Sequence, residues 1–265
     1  MVGESRSRIV FDDTAVRGFR EDGFAVLVGA FDAEALAAEI DAVFADASGR
    51  EILLDGAGGI RFASVPMMSE RTPVSVSLAD ALADTAATAL RRDVVPGRAK
   101  GTIYEGESAL HADSDLEIPS LGFVAYLEPL RPGQGALEVV PGSHCGSRAG
   151  ESIALETRPG DIVAFDEHLV HGSRGGAHRR QWRVDFIADP HTDHEAQLVR
   201  RSFEQLFDPH WDAGYDVDRY PSFGDWWRRT HRDWSSRLDA LGVLEMARVY
   251  ESAMRERRDS SDEER

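Results

Sequence analysis

Between residues 99 and 188 the chain is cut into short β-prone runs by turn-forming residues. The runs fall at 99–104, 109–113, 121–127, 136–140, 152–156, 161–165, 169–173 and 181–188. Pro132-Gly133, Gly135, Pro141-Gly142 and Pro159-Gly160 separate several of them, since glycine and proline supply turn dihedrals that strand interiors avoid. Short strands at this regular spacing predict a β-sandwich or barrel.

The residues ahead of this block follow a helical period. Asp12 or Asp13 caps a short helix that ends before Gly23, a short apolar strand covers 24–28, and Asp32 caps a second helix. Leu36, Ile40, Val43, Phe44 and Ala47 line one face of that second helix. Residues 49–59 read as a loop, and Leu78, Leu82, Ala86, Ala89 and Leu90 mark a third helix closed by Pro96 and Gly97. After Pro190 helix and loop return, with Trp211, Tyr215, Tyr220, Trp226, Trp227 and Trp234 available for a helical cap, a lid or a homodimer contact. The expected organisation is a single domain over 1–255: N-terminal helices at about 12–95, a β core at about 99–189 and a helical cap at about 195–255. The charged residues 256–265 read as a disordered tail.

Composition narrows the function. A formal charge of −17 repels nucleic acid and favours a neutral or cationic ligand, and it also aids solubility. No apolar run approaches the roughly 20 residues of a membrane helix. Residues 1–10 are charged and lack the apolar stretch of a signal peptide. The single cysteine, Cys145, allows no intrachain disulfide, and a cytoplasmic location is expected.

Four His-x-Asp tripeptides occur: His111/Asp113, His191/Asp193, His210/Asp212 and His231/Asp233. On a strand, this spacing points both side chains to one face. One more histidine from a neighbouring strand completes the three-ligand set typical of non-haem iron. Only His111 lies in the β block with later strands between it and another histidine, His171, 58 residues beyond Asp113. The other pairs lie in the charged C-terminal region and read as surface pairs. On spacing alone, His111, Asp113 and His171 are either a metal site or polar residues at strand ends.

Four pieces in order resemble the phytanoyl-CoA dioxygenase superfamily. They are His111-Ala-Asp113, Gly135-Ala-Leu-Glu-Val-Val-Pro-Gly-Ser-His144, Pro159-Gly-Asp-Ile-Val-Ala-Phe165 and His171-Gly-Ser173, followed by a basic residue opening the last strand. The resemblance covers about residues 100–189. It implies a double-stranded β-helix (jelly roll), mainly β with flanking helices. It also implies iron(II), 2-oxoglutarate and dioxygen, with His111, Asp113 and His171 as metal ligands. The distal carboxylate of 2-oxoglutarate needs a cation, and arginine pairs with it bidentately. Trp182, Val184 and Phe186 should face the outer helices, which turns Arg179, Gln181, Arg183 and Asp185 inward. The family's arginine opens this strand, which matches Arg179, with Arg183 as the rival. By the same resemblance Ser173 is a second contact to that carboxylate and Tyr126 an aromatic against the co-substrate, although a turn hydroxyl and a core tyrosine fit equally. Lys100, Thr102 and Tyr104 share a strand face leading toward the metal and are candidates to line the substrate pocket. His144 reads as a brace for its loop, and His168 as a neighbour of the site or an exposed residue.

The expected activity is oxidation of a C–H bond, by hydroxylation or oxidative ring closure, in a small natural-product intermediate. The acidity favours an amine-bearing one and, with the single lysine, disfavours a large acyl-CoA. Asp113 argues against halogenation, since related halogenases carry a small residue there. The alternatives are a cupin-like metal-dependent isomerase and a catalytically silent jelly-roll binding module.

Overall fold

The computed structural model describes residues 9, 11–46, 54–55, 61–146, 150–207 and 215–263. Helix α1 (Asp13–Asp22) starts where the Asp12 carboxylate accepts the Ala15 amide at 2.7 Å. It ends at Gly23, with φ 86°, where a Cβ would meet His144 Nδ1 at 2.6 Å. Strand β1 (Phe24–Leu27) follows, then α2 (Ala33–Asp46), whose first turn donates two amides to Asp32 Oδ1 at 3.1 Å each. Next come β2 (Leu54–Asp55), β3 (Arg61–Pro66), α3 (Pro73–Leu90) and β4 (Val94–Pro96). The β-rich block holds β5 (Lys100–Glu105), β6 (Ser108–His111), β7 (Ser120–Tyr126), β8 (Gln134–Val139), β9 (Ile153–Leu155), β10 (Ile162–Asp166), β11 (His171–Gly175) and β12 (Arg179–Ala188). Helices α4 (Asp193–Leu206), α5 (Asp225–Thr230), α6 (Arg232–Ala240) and α7 (Val243–Glu263) close the chain.

All eight expected strands of the block are present, shifted by a residue or two. They form two antiparallel sheets, one ordered β1-β10-β7-β12-β5-β3-β2 with β4 also on β12, the other β6-β11-β8-β9. Val124 and Tyr126 of β7, Val163 and Phe165 of β10, and Leu137 and Val139 of β8 share one apolar cluster. The space between the sheets is therefore their common core, as in a jelly roll. The outer face of the large sheet carries helices. Trp182, Val184 and Phe186 are fully buried there, and Trp182 Nε1 donates to Ser75 Oγ of α3 at 2.7 Å. The alternation expected along β12 is thus observed.

The first ninety residues are less helical than expected. β3 is an internal strand of the large sheet, paired with β5 from Arg61↔Glu105 to Pro66↔Lys100. Its residues 63–66 are buried on both faces, so it shows no polar–apolar alternation. The third helix opens at Pro73, and Val94–Pro96 is a strand on β12. The loop expected at 49–59 lies outside the described residues, apart from β2.

In the C-terminal cap, Phe203, Phe207, Phe223, Trp227 and Tyr250 make a chain of ring contacts 4.9–6.4 Å apart. Those aromatics pack the cap on itself; Trp211 and the His210/Asp212 pair lie outside the described residues. His231 is a correction to its surface reading. Its ring lies nearly parallel to those of Trp227 (4.8 Å) and Trp234 (5.7 Å), which are 6.4 Å from each other, and its Nε2 meets Asp80 Oδ1 at 2.9 Å. The charged end expected to be disordered is helical as far as Glu263. Its Arg and Glu residues are good helix formers, and Arg255 pairs with Glu251 one turn back and with Asp218. No described helix is long and apolar enough to cross a membrane.

Candidate active site

His111 ends β6 and His171 opens β11, and antiparallel pairing sets the two residues directly opposite each other. Their ring centroids stand 4.6 Å apart. Each Nδ1 donates to a carbonyl two residues back at 2.8 Å, Ala109 O for His111 and Leu169 O for His171. That fixes both rings with Nε2 carrying the free lone pair, the form a metal requires. A close approach of β6 and β11 makes the pairing possible: a Cβ on Gly172 would meet Ser108 O at 2.7 Å.

Asp113 lies just beyond β6 rather than on it. Its amide donates to Glu167 O at 2.9 Å, which turns the chain so that the carboxylate returns to the histidines. Oδ1 stands 3.2 Å from His111 Nε2, and Oδ2 stands 3.4 Å from His171 Nε2. One donor atom from each residue can be chosen so that all three lie within 4.8 Å of one another. Ligands about 2.1 Å from a shared octahedral metal and at right angles stand about 3 Å apart. Two neutral imidazoles and one carboxylate therefore fit an iron(II) ion with its remaining positions open.

The electrostatics keep the carboxylate of this set charged. Burial raises the Asp113 carboxyl, but Arg183 and the two imidazoles outweigh it and hold the group well below the usual range. Without a metal, the hydrogen bond to Asp113 raises the His111 imidazole, so a proton and a metal compete for Nε2. Arg183 bonds three carboxylates: Asp113 Oδ2 at 2.8 Å, Glu167 Oε1 at 2.7 Å and Asp185 Oδ1 at 2.6 Å. Burial lowers the Arg183 guanidinium, yet those carboxylates raise it well above its ordinary value. Burial drives the Glu167 carboxyl well up, against the pull of Arg183.

A cavity of about 410 Å³ opens beside the triad, walled by Phe62, Tyr104, Tyr126 and Phe165. Burial pushes the Tyr104 hydroxyl up to about 12 and raises Tyr126 as well, so both stay protonated and can donate. Arg179 is buried in the cavity wall, with Nη2 donating to Ser173 Oγ and Nη1 to Gly106 O, both at 2.9 Å. Its guanidinium carbon lies 5.5 Å from the Tyr104 ring centroid. Gly135 and Gly176 give it room: a Cβ would come within 3.1 Å of its Cδ at the first and 2.8 Å of Nη1 at the second. Among the described residues the hydrogen-bond partners of Arg179 are neutral.

His111, Asp113, His171, Ser173, Arg179, Tyr126 and Tyr104 thus gather around one cavity. Arg183 also reaches it, but with its donors already committed to carboxylates. Thr102 does not line it, because its hydroxyl is buried against Ser64 Oγ at 3.0 Å. Lys100 faces a smaller neighbouring cavity of about 200 Å³, which it shares with Glu167 and Asp185. His144 braces its loop on Arg20 O, and His168 is half-buried between Asp166 and Leu116 O. Sequence reasoning missed Phe62, whose strand carries no alternation. It also missed Glu167, whose only signal was a position four residues before His171.

Comparison with known proteins follows the same lines. A family model described as phytanoyl-CoA dioxygenase (PhyH) matches residues 19–181. Curated protein sequences give no match. Among solved structures, AviO1 from Streptomyces viridochromogenes Tue57 is 26% identical, with a TM-score of 0.55 over 69% of this chain and 97% of that one. The non-haem α-ketoglutarate-dependent epimerase SnoN from nogalamycin biosynthesis is 17% identical, with a TM-score of 0.57 over 67% of this chain and 82% of that one. HygX from Streptomyces hygroscopicus, solved with nickel and 2-oxoglutarate bound, is 17% identical, with a TM-score of 0.54 over 68% of this chain and 88% of that one. With the family match spanning more than half its length, the chain belongs to the phytanoyl-CoA dioxygenase family, a class of iron- and 2-oxoglutarate-dependent enzymes.

Proposed function

We propose that the protein oxidises a C–H bond of a small natural-product intermediate, by hydroxylation or oxidative ring closure. In this reading His111, Asp113 and His171 hold iron(II), and Arg179 with Ser173 holds the distal carboxylate of 2-oxoglutarate. The observation that carries it is the sharing of one 410 Å³ cavity by the triad and by a buried arginine whose bonds are to neutral groups. Bound there, the iron and its co-substrates supply an oxidant strong enough to take hydrogen from carbon, while the keto acid leaves as succinate and carbon dioxide.

The chain's own residues do the rest. Arg179 offers a planar fork to a carboxylate, and the Ser173 hydroxyl beside it adds a donor. The Nδ1 bonds of both histidines hold the rings in their ligating orientation. Phe62, Phe165 and Tyr126 make an apolar wall that excludes water and orients a substrate of modest size. His171 is buried whereas the His111 side chain is 48% exposed, so substrate arrives from the His111 side. A cavity of this size suits a small ring system better than a long acyl-CoA. The net charge of −17 favours an amine-bearing molecule through steering at long range.

Succinate release tests this reading. Protein loaded with iron(II) under air should convert 2-oxoglutarate to succinate, faster with the right substrate and not at all with His171→Ala. Absence of both succinate and iron binding across a panel of small amine-bearing natural products would refute it.

A further inference from the structure

We infer that Arg183 is a positioning residue of the metal centre: by gripping Asp113 Oδ2 it leaves Oδ1 as the single ligating oxygen. This rests on Asp113 being a metal ligand, as read above. Asp113 follows β6 in a turn, and its amide and that of Ser114, both donated to Glu167 O, fix its backbone there. Its carboxylate has a broad, two-fold torsion of its own, so strand geometry does not choose which oxygen faces the imidazoles. Oδ1 faces His111 Nε2 at 3.2 Å and Oδ2 faces His171 Nε2 at 3.4 Å, so each oxygen stands near one imidazole; Arg183 Nη1 makes the choice by a 2.8 Å bond that occupies Oδ2 alone. The distinction matters because a carboxylate bound through both oxygens fills two of the six octahedral positions. With two histidines, a two-oxygen keto acid and dioxygen to accommodate, the aspartate has room to occupy only one.

Arg183 is itself held rigidly. Its Nη2 bonds Glu167 Oε1, the residue after β10, and its Nε bonds Asp185 Oδ1, on the same strand β12. Its guanidinium carbon lies 5.3 Å from the Phe165 ring centroid, and that ring packs on His171 at 4.8 Å. On β7, Gly122 leaves the space where the cluster meets: a Cβ there would stand 2.6 Å from Glu167 Oε1 and 3.3 Å from Arg183 Nη2. A side chain required only to balance charge has no need of three separate bonds and a cleared pocket. A lysine would balance charge but cannot make the three-way fork.

The test separates positioning from charge balance. Arg183→Leu alone strands buried carboxylates and invites misfolding. The informative variant is therefore Arg183→Leu/Glu167→Gln/Asp185→Asn, in which that excess charge is gone. Manganese(II) is titrated into the full chain by electron paramagnetic resonance of the free ion, with thermal melting recorded in parallel. The triple variant should melt like wild type yet bind manganese about ten- to a hundredfold more weakly, the usual effect of losing a group that orients a ligand. Glu167→Gln/Asp185→Asn with Arg183 retained should bind manganese more tightly than the triple variant, because the amide oxygens still accept from Arg183. Wild-type affinity in the triple variant, or equal weakening in the double, overturns the inference. If the triple variant does not fold, Arg183→Lys carries the same test: weaker binding supports the inference and unchanged binding overturns it. Asp113→Asn distinguishes the two readings. If it too leaves manganese binding unchanged, Asp113 is not a ligand and both fall; if it weakens binding while the Arg183 variants do not, only the positioning role fails.

Discussion

Replacing Arg179 with glutamine should weaken 2-oxoglutarate binding by about 30- to 4,000-fold. The side chain is buried, and two of its donors already point to Ser173 Oγ and Gly106 O, which hold the guanidinium carbon 5.5 Å from the Tyr104 ring centroid. A carboxylate paired to this fork gains two charge-assisted hydrogen bonds, each worth about 1.5–3 kcal/mol. Glutamine keeps one neutral donor worth about 1 kcal/mol. The net loss is about 2–5 kcal/mol, and each 1.4 kcal/mol is a factor of about ten in Kd. The assay is anaerobic calorimetric titration of 2-oxoglutarate into manganese-loaded protein. Metal affinity should not change, because Arg179 touches none of the three ligands. A shift in the 2-oxoglutarate Kd below about threefold would refute the reasoning and return the anchor to another cation.

Two further outcomes test the scaffold. Trp182→Ala removes a fully buried indole and its bond to Ser75 Oγ, and should cost about 3–5 kcal/mol in denaturant unfolding; a loss under about 1 kcal/mol would mean β12 is not seated on α3 as described. Glu195 is pulled from its ordinary 4.5 to about 2, chiefly by its hydrogen bond from Arg92, so the folded state favours its charged form. That contribution is fully present above 4.5 and is lost as pH falls toward about 2. The melting temperatures of wild type and Glu195→Gln should therefore differ by a constant amount near neutrality and converge in acid; a gap that widens in acid would contradict the sign.

The β core was legible in sequence because its turns are chemically explicit. Gly133, Gly142 and Gly160 take positive φ between strands, and Gly135 does so at the start of β8, where only glycine is unstrained. β12 was legible for another reason: its residues alternate between charge and bulk, so Trp182, Val184 and Phe186 could be sent outward and Arg179 and Arg183 inward. β3 was not legible, because a strand buried on both faces carries no period. For the same reason Phe62 was missed as a cavity wall. The separate roles of the two arginines were beyond sequence reasoning, since both are inward on one strand. Only the three-dimensional arrival of Glu167 beside Arg183, and of Ser173 beside Arg179, distinguishes a residue committed to carboxylates from one bonded to neutral groups. His231 shows the converse limit, a charged neighbourhood in sequence that folds into an aromatic stack.

The most direct measurement is anomalous X-ray scattering at the iron edge, from crystals grown without oxygen in iron(II) and 2-oxoglutarate. One peak should appear about 2.1 Å from Nε2 of His111, Nε2 of His171 and an oxygen of Asp113. A fully occupied peak elsewhere, or none while 2-oxoglutarate is bound, would contradict the account.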